Sequence, residues 1–333
     1  MSLVNATRYA AQAVPTYDAR GQHVVLVVVK ATFELDRNGH LVPASEPSPV
    51  RAGDEPWDPK APQSSVRYPT DILVKKGCPE VIVVGSAISE KPVLRADVTV
   101  KIGAHEAPLV VHGERLFEHS ARAVVIGPAL PFQEQPIIYE RAYGGMAPDF
   151  HLADERNPVG LGVAHRKEDL VGTRAPQIEH PARPHRTAAD AHQPMGYGAT
   201  LPHWLPRRQY AGTFDEAWQK TRMPMLPADH DDRFENVAHP SLQLEAPLAP
   251  GLPVSVLGMS ESRLFQCELP DLRLVIHGLR GRADRADRTT VSPSVDTLLI
   301  EPGTSRIELC ARTVFSMGRG ARSLREVRVD THD

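Results

Sequence analysis

The stretch HVVLVVVKATFELDRNGHLVPA, residues 23–44, decides the fold class. Val24 to Val29 is an unbroken apolar run, and all but Leu26 are valine. β-Branched side chains favour an extended backbone, and a run this short cannot cross a bilayer, so it reads as a buried strand. Asn38-Gly39 follows, the dipeptide that most strongly favours a tight hairpin, and the chain is expected to turn back after it. Working outward, EVIVVGSA (residues 80–87) predicts a second apolar strand. VLRADVTVKIGAHEAPLVVHGERLFE (residues 93–118) predicts a hairpin turning near Gly103–Glu106, with Val98, Val100 and Ile102 on one face and Thr99 and Lys101 on the other. The last third repeats this grammar in LPVSVLGM, SRLFQCELP, DLRLVIHGLRG and a hairpin, SVDTLLIEPGTSRIELCARTVFSM, turning at Pro302–Ser305.

Composition agrees. The 333 residues include 31 prolines, about twice ordinary usage, and each proline removes a backbone donor and disfavours a long helix. Aromatic residues make up only 5%, leaving Val, Leu, Ile and Ala to build the core. The expected fold is mainly β, a two-lobed, sandwich-like architecture with few short helices and long irregular connections. A formal net charge of −3 gives no electrostatic footprint for nucleic acid or an anionic membrane surface. Three dispersed cysteines, Cys78, Cys267 and Cys310, form neither a disulfide framework nor a zinc pattern. With no basic start and apolar core of a secretory signal, the expected home is the cytoplasm, with no membrane insertion.

The middle of the chain changes character. From about Gly144 to Arg208 prolines, glycines and histidines dominate and no hydrophobic period persists. One helix is expected beyond it in GTFDEAWQKTRMP, with Thr213 and Glu216 as a capping box, Phe214, Ala217, Trp218 and Thr221 on one face, and Pro224 as the stop. The resulting division is an N-terminal β-rich lobe over 1–145, a Pro/His-rich connection with a short helix over 146–235, and a C-terminal β-rich lobe over 236–333.

Candidate chemistry is sparse. The pairs Gly144-Gly145 and Gly160-x-Gly162 lack the strand and helix context of a phosphate loop, and no Gly-x-x-x-x-Gly-Lys-Ser/Thr occurs. Ser86 follows a strand but no Gly-x-Ser-x-Gly elbow surrounds it. His180, His185, His192 and His203 fall in the irregular middle, where Pro181 and Pro184 keep the first two off a shared helix turn. The acidic cluster Asp229, His230, Asp231 and Asp232 supplies the sharpest enzymatic alternative, a metal-dependent hydrolase using Asp229, His230 and Asp232. Arg280, Arg282, Arg285 and Arg288 alternate with Asp284 and Asp287, which weakens any phosphate-binding patch. No catalytic residue, cofactor or metal ligand is assigned.

The most unusual local composition is IIYERAYGGM, residues 137–146, with ERNPVGLGV close behind. Taken as a strand, Tyr139 and Arg141 point one way and Glu140 and Ala142 the other, so Glu140 and Arg141 cannot pair and each needs a distant partner. Leaving either buried alone would cost on the order of 3–5 kcal/mol. The glycines then permit positive φ or close backbone approach.

YERAYGG followed by RNPVGLG resembles the signature of a bacterial domain-of-unknown-function family encoded within type VI secretion effector clusters. VVVKATFEL, VIVVGSA, AGTFDEAW, MPMLPADHDDRF and DTLLIEPGTSRIELCARTVF resemble further family blocks in the same order, so the likeness covers nearly the whole chain. It departs from the pattern at Ser86, where the family usually has His, at APQIE in place of Leu-Pro-Asn-Ile-Glu, and near Arg312, where a Trp is common. The resemblance implies a non-enzymatic cytoplasmic adaptor or chaperone that loads a toxic effector, or its PAAR-type tip protein, onto the secretion spike. Tyr139, Glu140, Arg141, Tyr143, Gly144, Gly145, Arg156, Asn157, Pro158, Gly160 and Gly162 carry the motif, as folding determinants or partner surface. Tyr197, Trp204 and Tyr210 are the expected aromatic anchors for a partner.

Overall fold

The valine run forms a strand from His23 to Leu35 inside a six-stranded sheet. At its end Asp36 Oδ1 accepts backbone N–H bonds from Asn38 and His40, each at 2.8 Å, and Gly39 takes φ 80°. Leu41–Pro43 then returns antiparallel, as the Asn-Gly signal predicts. The structure is a computed structural model, and residues 1–61, 63–190, 192–281, 287–318, 320 and 323–332 are described. Arg282, Asp284 and Arg285, part of the arginine cluster weighed as a phosphate-binding patch, lie outside the described residues.

The protein is mainly β, 42% strand against 9% helix. The His23–Leu35 strand pairs with Ala10–Tyr17 on one side and with Arg306–Ser316 on the other. Arg306–Ser316 closes the expected hairpin with Val295–Glu301, which in turn runs parallel to Glu80–Val83. A five-stranded sheet runs in the order Ile178–Glu179, His105–His112, Arg95–Ile102, Pro253–Leu257, Leu264–Glu268. A four-stranded sheet is built from Ser2–Asn5, Leu324–Thr331, Leu274–Arg280 and Asp287–Val291, the first pair parallel. Each larger sheet therefore mixes strands from 1–145 with strands from 236–333, and the expected boundaries do not separate sheets. One contiguous hydrophobic cluster includes Val27 and Leu309 of the first sheet, Val100 and Val256 of the second, and Ile276 and Val329 of the third.

The two faces of the first sheet differ. Val25, Val27, Val29, Ala31 and Phe33 enter that cluster. On the alternate positions, Lys30 and Thr32 are buried beneath the 44–76 segment, whose Ser48 and Arg51 contact Glu308 and whose Asp71 contacts Lys30. The helix after Gly212 is shorter than expected, Glu216–Thr221. Its N-cap is Asp215, which accepts from the Trp218 N–H at 2.8 Å, so the Thr213–Glu216 capping box does not form. Thr213 instead donates from its N–H and hydroxyl to Asp229, at 2.9 and 2.7 Å. A carboxylate two residues nearer the helix caps it in place of the hydroxyl.

Candidate functional site

The Tyr139–Gly145 box is a turn rather than the expected strand. Tyr139–Arg141 is a single 3₁₀ turn, closed by N–H bonds from Arg141 to Ile138 O and from Ala142 to Tyr139 O, both 3.1 Å. The aromatic ring explains the bend. Tyr139 drops into the interior, its ring edge-on to Trp204 at 5.1 Å and its hydroxyl donating to Gly198 O at 3.2 Å. Burial pushes its phenol up from the ordinary value. Glu140 and Arg141 do find separate distant partners. Glu140 accepts from the Ser65 N–H and hydroxyl, both at 2.7 Å, while Arg141 donates to Gln177 Oε1 at 2.7 Å. Both partners are neutral, and Gln177 lies inside the APQIE segment that departs from the family pattern.

The second box folds onto the first. Tyr143–Gly144 and Leu161–Gly162 pair as short parallel strands, and Leu161 N–H donates to Ala142 O at 2.9 Å. Asn157, fully buried, joins them: its side-chain amide donates to Tyr139 O and to Tyr143 O, each at 2.9 Å. Its own carbonyl accepts from Gly145 N–H at 2.7 Å. The glycines are demanded by this packing. Gly144 holds φ 138° and a Cβ there would sit 2.2 Å from Asn157 O; Gly145 holds φ 101° and its Cβ would meet Gly160 O at 2.4 Å. The two motifs are thus one unit whose backbones touch.

Arg156 grips Asp154 through Nε and a terminal nitrogen, at 2.9 and 2.5 Å, and lies over the Tyr143 ring at 5.9 Å. On its other side Tyr143 meets His192, ring centroids 4.7 Å apart, and His192 meets His185 at 4.1 Å. Both histidines are buried, with Nδ1 atoms lacking a hydrogen bond in the structure. Glu179 anchors this cluster, accepting from His112 Nε2 at 2.8 Å, Arg115 at 2.9 Å and the His185 N–H at 2.9 Å. Burial would raise the Glu179 carboxyl, but those hydrogen bonds outweigh it and hold it down at about 2. Burial, aided by His192, lowers His185 to about 4. Nothing in the sequence announces this cluster: as metal ligands or as surface polar groups, the two readings a histidine in irregular sequence invites, His185 and His192 would not be packed, yet both are buried behind the Tyr143 ring.

Two cavities flank the unit. One of about 440 Å³ is walled by Gly144, Gly145, Gly160 and Gly162 with Leu161 and Val163. The other, about 500 Å³, is lined by Pro158, Val159, Met146, Ser64, Trp204 and Arg208 among others. The expected aromatic anchors need correction. Tyr197 and Trp204 are completely buried, Tyr197 donating to Ala107 O at 2.6 Å, and they serve the core. Only Tyr210 keeps partial exposure, with the Arg233 guanidinium 4.3 Å over its ring.

The Asp229–Asp232 cluster is dispersed. Asp229 holds Thr213, His230 Nδ1 contacts Ala211 O at 3.2 Å, Asp231 binds Arg233, and Asp232 pairs with Lys75. Among the described residues, no group of three or more His, Cys, Asp or Glu side chains is placed to hold a metal ion. None of the described helices is long and apolar enough to cross a membrane.

What these features define is a mainly β protein of several open sheets, carrying one glycine-built turn unit stitched by a buried asparagine. The chain belongs to the bacterial family described as an uncharacterized protein conserved in bacteria (DUF2169), whose pattern matches residues 20–312. No curated protein and no solved structure matches it.

Proposed function

We propose that the protein is a cytoplasmic type VI secretion adaptor or chaperone, which binds a toxic effector or its PAAR-type tip protein and assists loading onto the spike. The observation that supports this reading most is the paired-box unit. Tyr139–Gly145 and Arg156–Gly162 are locked together by Asn157 and by glycine contacts too close for any side chain. Their outer sides border two cavities with substantial apolar lining. A surface so constrained suits docking, because little conformational freedom is lost when a partner arrives. The Glu140 and Arg141 side chains are spent on Ser65 and Gln177, consistent with a scaffold role.

Co-expression with an effector and a PAAR protein encoded beside this chain tests the reading. A complex that survives size-exclusion chromatography is expected with at least one of them. Failure of both to co-purify with the folded protein would overturn it, and so would turnover of a substrate abolished by Glu140→Gln at unchanged thermal stability.

A further inference from the structure

A cavity of about 600 Å³ lies away from the paired boxes. Its apolar wall is Tyr17, Val74, Pro224, Met225 and Leu226. The apolar surface continues beyond the mouth. Tyr17 is 58% exposed, Met223 beside Pro224 is 59% exposed, and Phe214 is 55% exposed, stacked edge-on against Trp218 at 4.8 Å. Trp218 in turn donates its indole N–H to Met225 O at 2.8 Å, which ties this rim to the cavity wall.

The polar groups in that wall are mostly committed. Lys75 pairs with Asp232, Asp18 accepts from the N–H groups of Arg20 and Gln22, and His230 contacts Ala211 O. Glu235 differs. It lines the cavity, and among the described residues its carboxylate has neither a hydrogen bond nor an ion pair. Arg207, the cation that acts on it most strongly, directs Nε to Phe234 O and a terminal nitrogen to Thr200 O instead. Burial accordingly raises the Glu235 carboxyl. With Asp18, Asp232 and Glu235 against Lys75, the lining is net acidic, and a part-buried carboxylate without a donor favours any ligand that brings one.

We infer that this cavity receives an arginine or lysine side chain of a partner polypeptide, its alkyl stem against the Val74–Leu226 wall and its cationic head on Glu235, with neighbouring apolar residues on Tyr17, Met223 and Phe214. The inference rests on the adaptor reading for the partner's being a protein, but its chemistry is specific to this pocket. A long cationic side chain satisfies both halves of the site, because its stem is apolar while its head supplies the missing donors.

The test uses the full chain and a fluorescein-labelled peptide, Leu-Leu-Arg-Leu-Leu amide, read by fluorescence polarisation. The same peptide with citrulline, isosteric but neutral, is the control. Binding of the arginine peptide at least about tenfold tighter than the citrulline peptide is expected. Glu235→Gln should erase that preference in a protein that still folds, since no intramolecular hydrogen bond is lost and only the long-range attraction to Arg207 is given up. Equal binding of the two peptides, no arginine-peptide binding at millimolar concentration, or a preference surviving Glu235→Gln each overturns the inference. Agmatine binding as tightly as the peptide would point to a small amine instead and also overturns it. The two readings fail separately: an effector complex unaffected by Glu235→Gln sinks the pocket and keeps the adaptor, whereas a peptide preference without any effector or tip-protein complex does the reverse.

Discussion

Beneath the 44–76 segment, Lys30 sits 2.7 Å from Asp71 and 3.1 Å from Glu308, and Arg51 clasps Glu308 at 2.6 and 3.0 Å. Around the Tyr139–Gly145 turn, the corresponding buried polar groups are backbone carbonyls, and an uncharged amide, that of Asn157, serves two of them. The first region joins residues more than two hundred positions apart through full charges; the second joins neighbours through neutral donors and glycines. The contrast matters because the two arrangements fail differently. A buried charge stripped of its partner is expensive, whereas a neutral donor removed costs only the desolvation of the groups it served.

The largest effect is therefore expected in the charged region. Lys30→Met takes the ammonium from both Asp71 and Glu308, leaving Arg51 on Glu308 and Arg312 beside Asp71, and should cost about 3–5 kcal/mol of unfolding free energy. Urea unfolding followed by tryptophan fluorescence measures it. A loss under about 1 kcal/mol would show that water or rearranged side chains replace the lysine, and the contrast with the paired boxes would collapse.

Asn157→Ala comes next. It removes the side-chain donor from Tyr143 O and one of two donors from Tyr139 O, which keeps the Ala142 N–H, and it opens a small void, an expected loss of about 2–4 kcal/mol. Asn157→Asp should be no milder, because a carboxylate cannot donate to two carbonyls. If Asn157→Ala unfolds at the wild-type urea midpoint, the boxes are held by the glycine contacts alone.

Acid opens two windows along the pH axis, an upper one from a buried histidine and a lower one shared by Glu308 and by Glu179 of the His185 cluster, also held at about 2. His185 is held neutral at about 4, below its ordinary 6.5, so the unfolded chain binds the extra proton first. Stability is full above pH 6.5 and falls as pH drops toward 4, by on the order of 2 kcal/mol between pH 7 and pH 5 for this one group. Glu308, where Arg51 and Lys30 together outweigh burial, stands at about 2 against 4.5. Its contribution is intact at pH 5 and is lost only as pH falls from about 4.5 toward 2. Two successive destabilising windows are thus expected, and His185→Gln should flatten the upper one while leaving the lower in place. The groups facing His185 are His192, Glu179, Arg115 and Asp190, so an unchanged upper window in His185→Gln would assign it to another of the lowered histidines, His192, His203, His277 or the half-buried His239, the last lowered to about 4.

The strand-built part of this protein was legible because periodicity and turn chemistry are local. The valine run, Asn38-Gly39, the Gly103–Glu106 turn and the Pro302–Ser305 turn each announce themselves within a few residues. Which strand pairs with which is set by distant contacts, and nothing near Val27 states that Thr313 lies opposite it. The same limit governed the site. The need for separate partners for Glu140 and Arg141 followed from their adjacency, but Ser65 and Gln177 as those partners did not. Tyr139 defeated the strand reading because a single ring seeking the interior bends the backbone regardless of propensity. Trp204 and Tyr197 misled as exposed anchors because irregular, proline-rich sequence hides burial that has no period.

The smallest effect tests the one place where a short motif gave the wrong donor and acceptor. Asp215→Ala removes the carboxylate that accepts the Trp218 N–H, and should cost about 1 kcal/mol, the usual worth of an N-cap. Thr213→Val leaves the cap intact and severs only the exposed hydroxyl bond to Asp229, so about half that loss or less is expected. Because the Glu216–Thr221 helix buries no residue, both losses should be local, faster amide exchange at Trp218 in Asp215→Ala with little change in the global midpoint. Equal acceleration of Trp218 exchange in the two variants would restore Thr213 as the cap in solution, and with it the capping box written in the sequence.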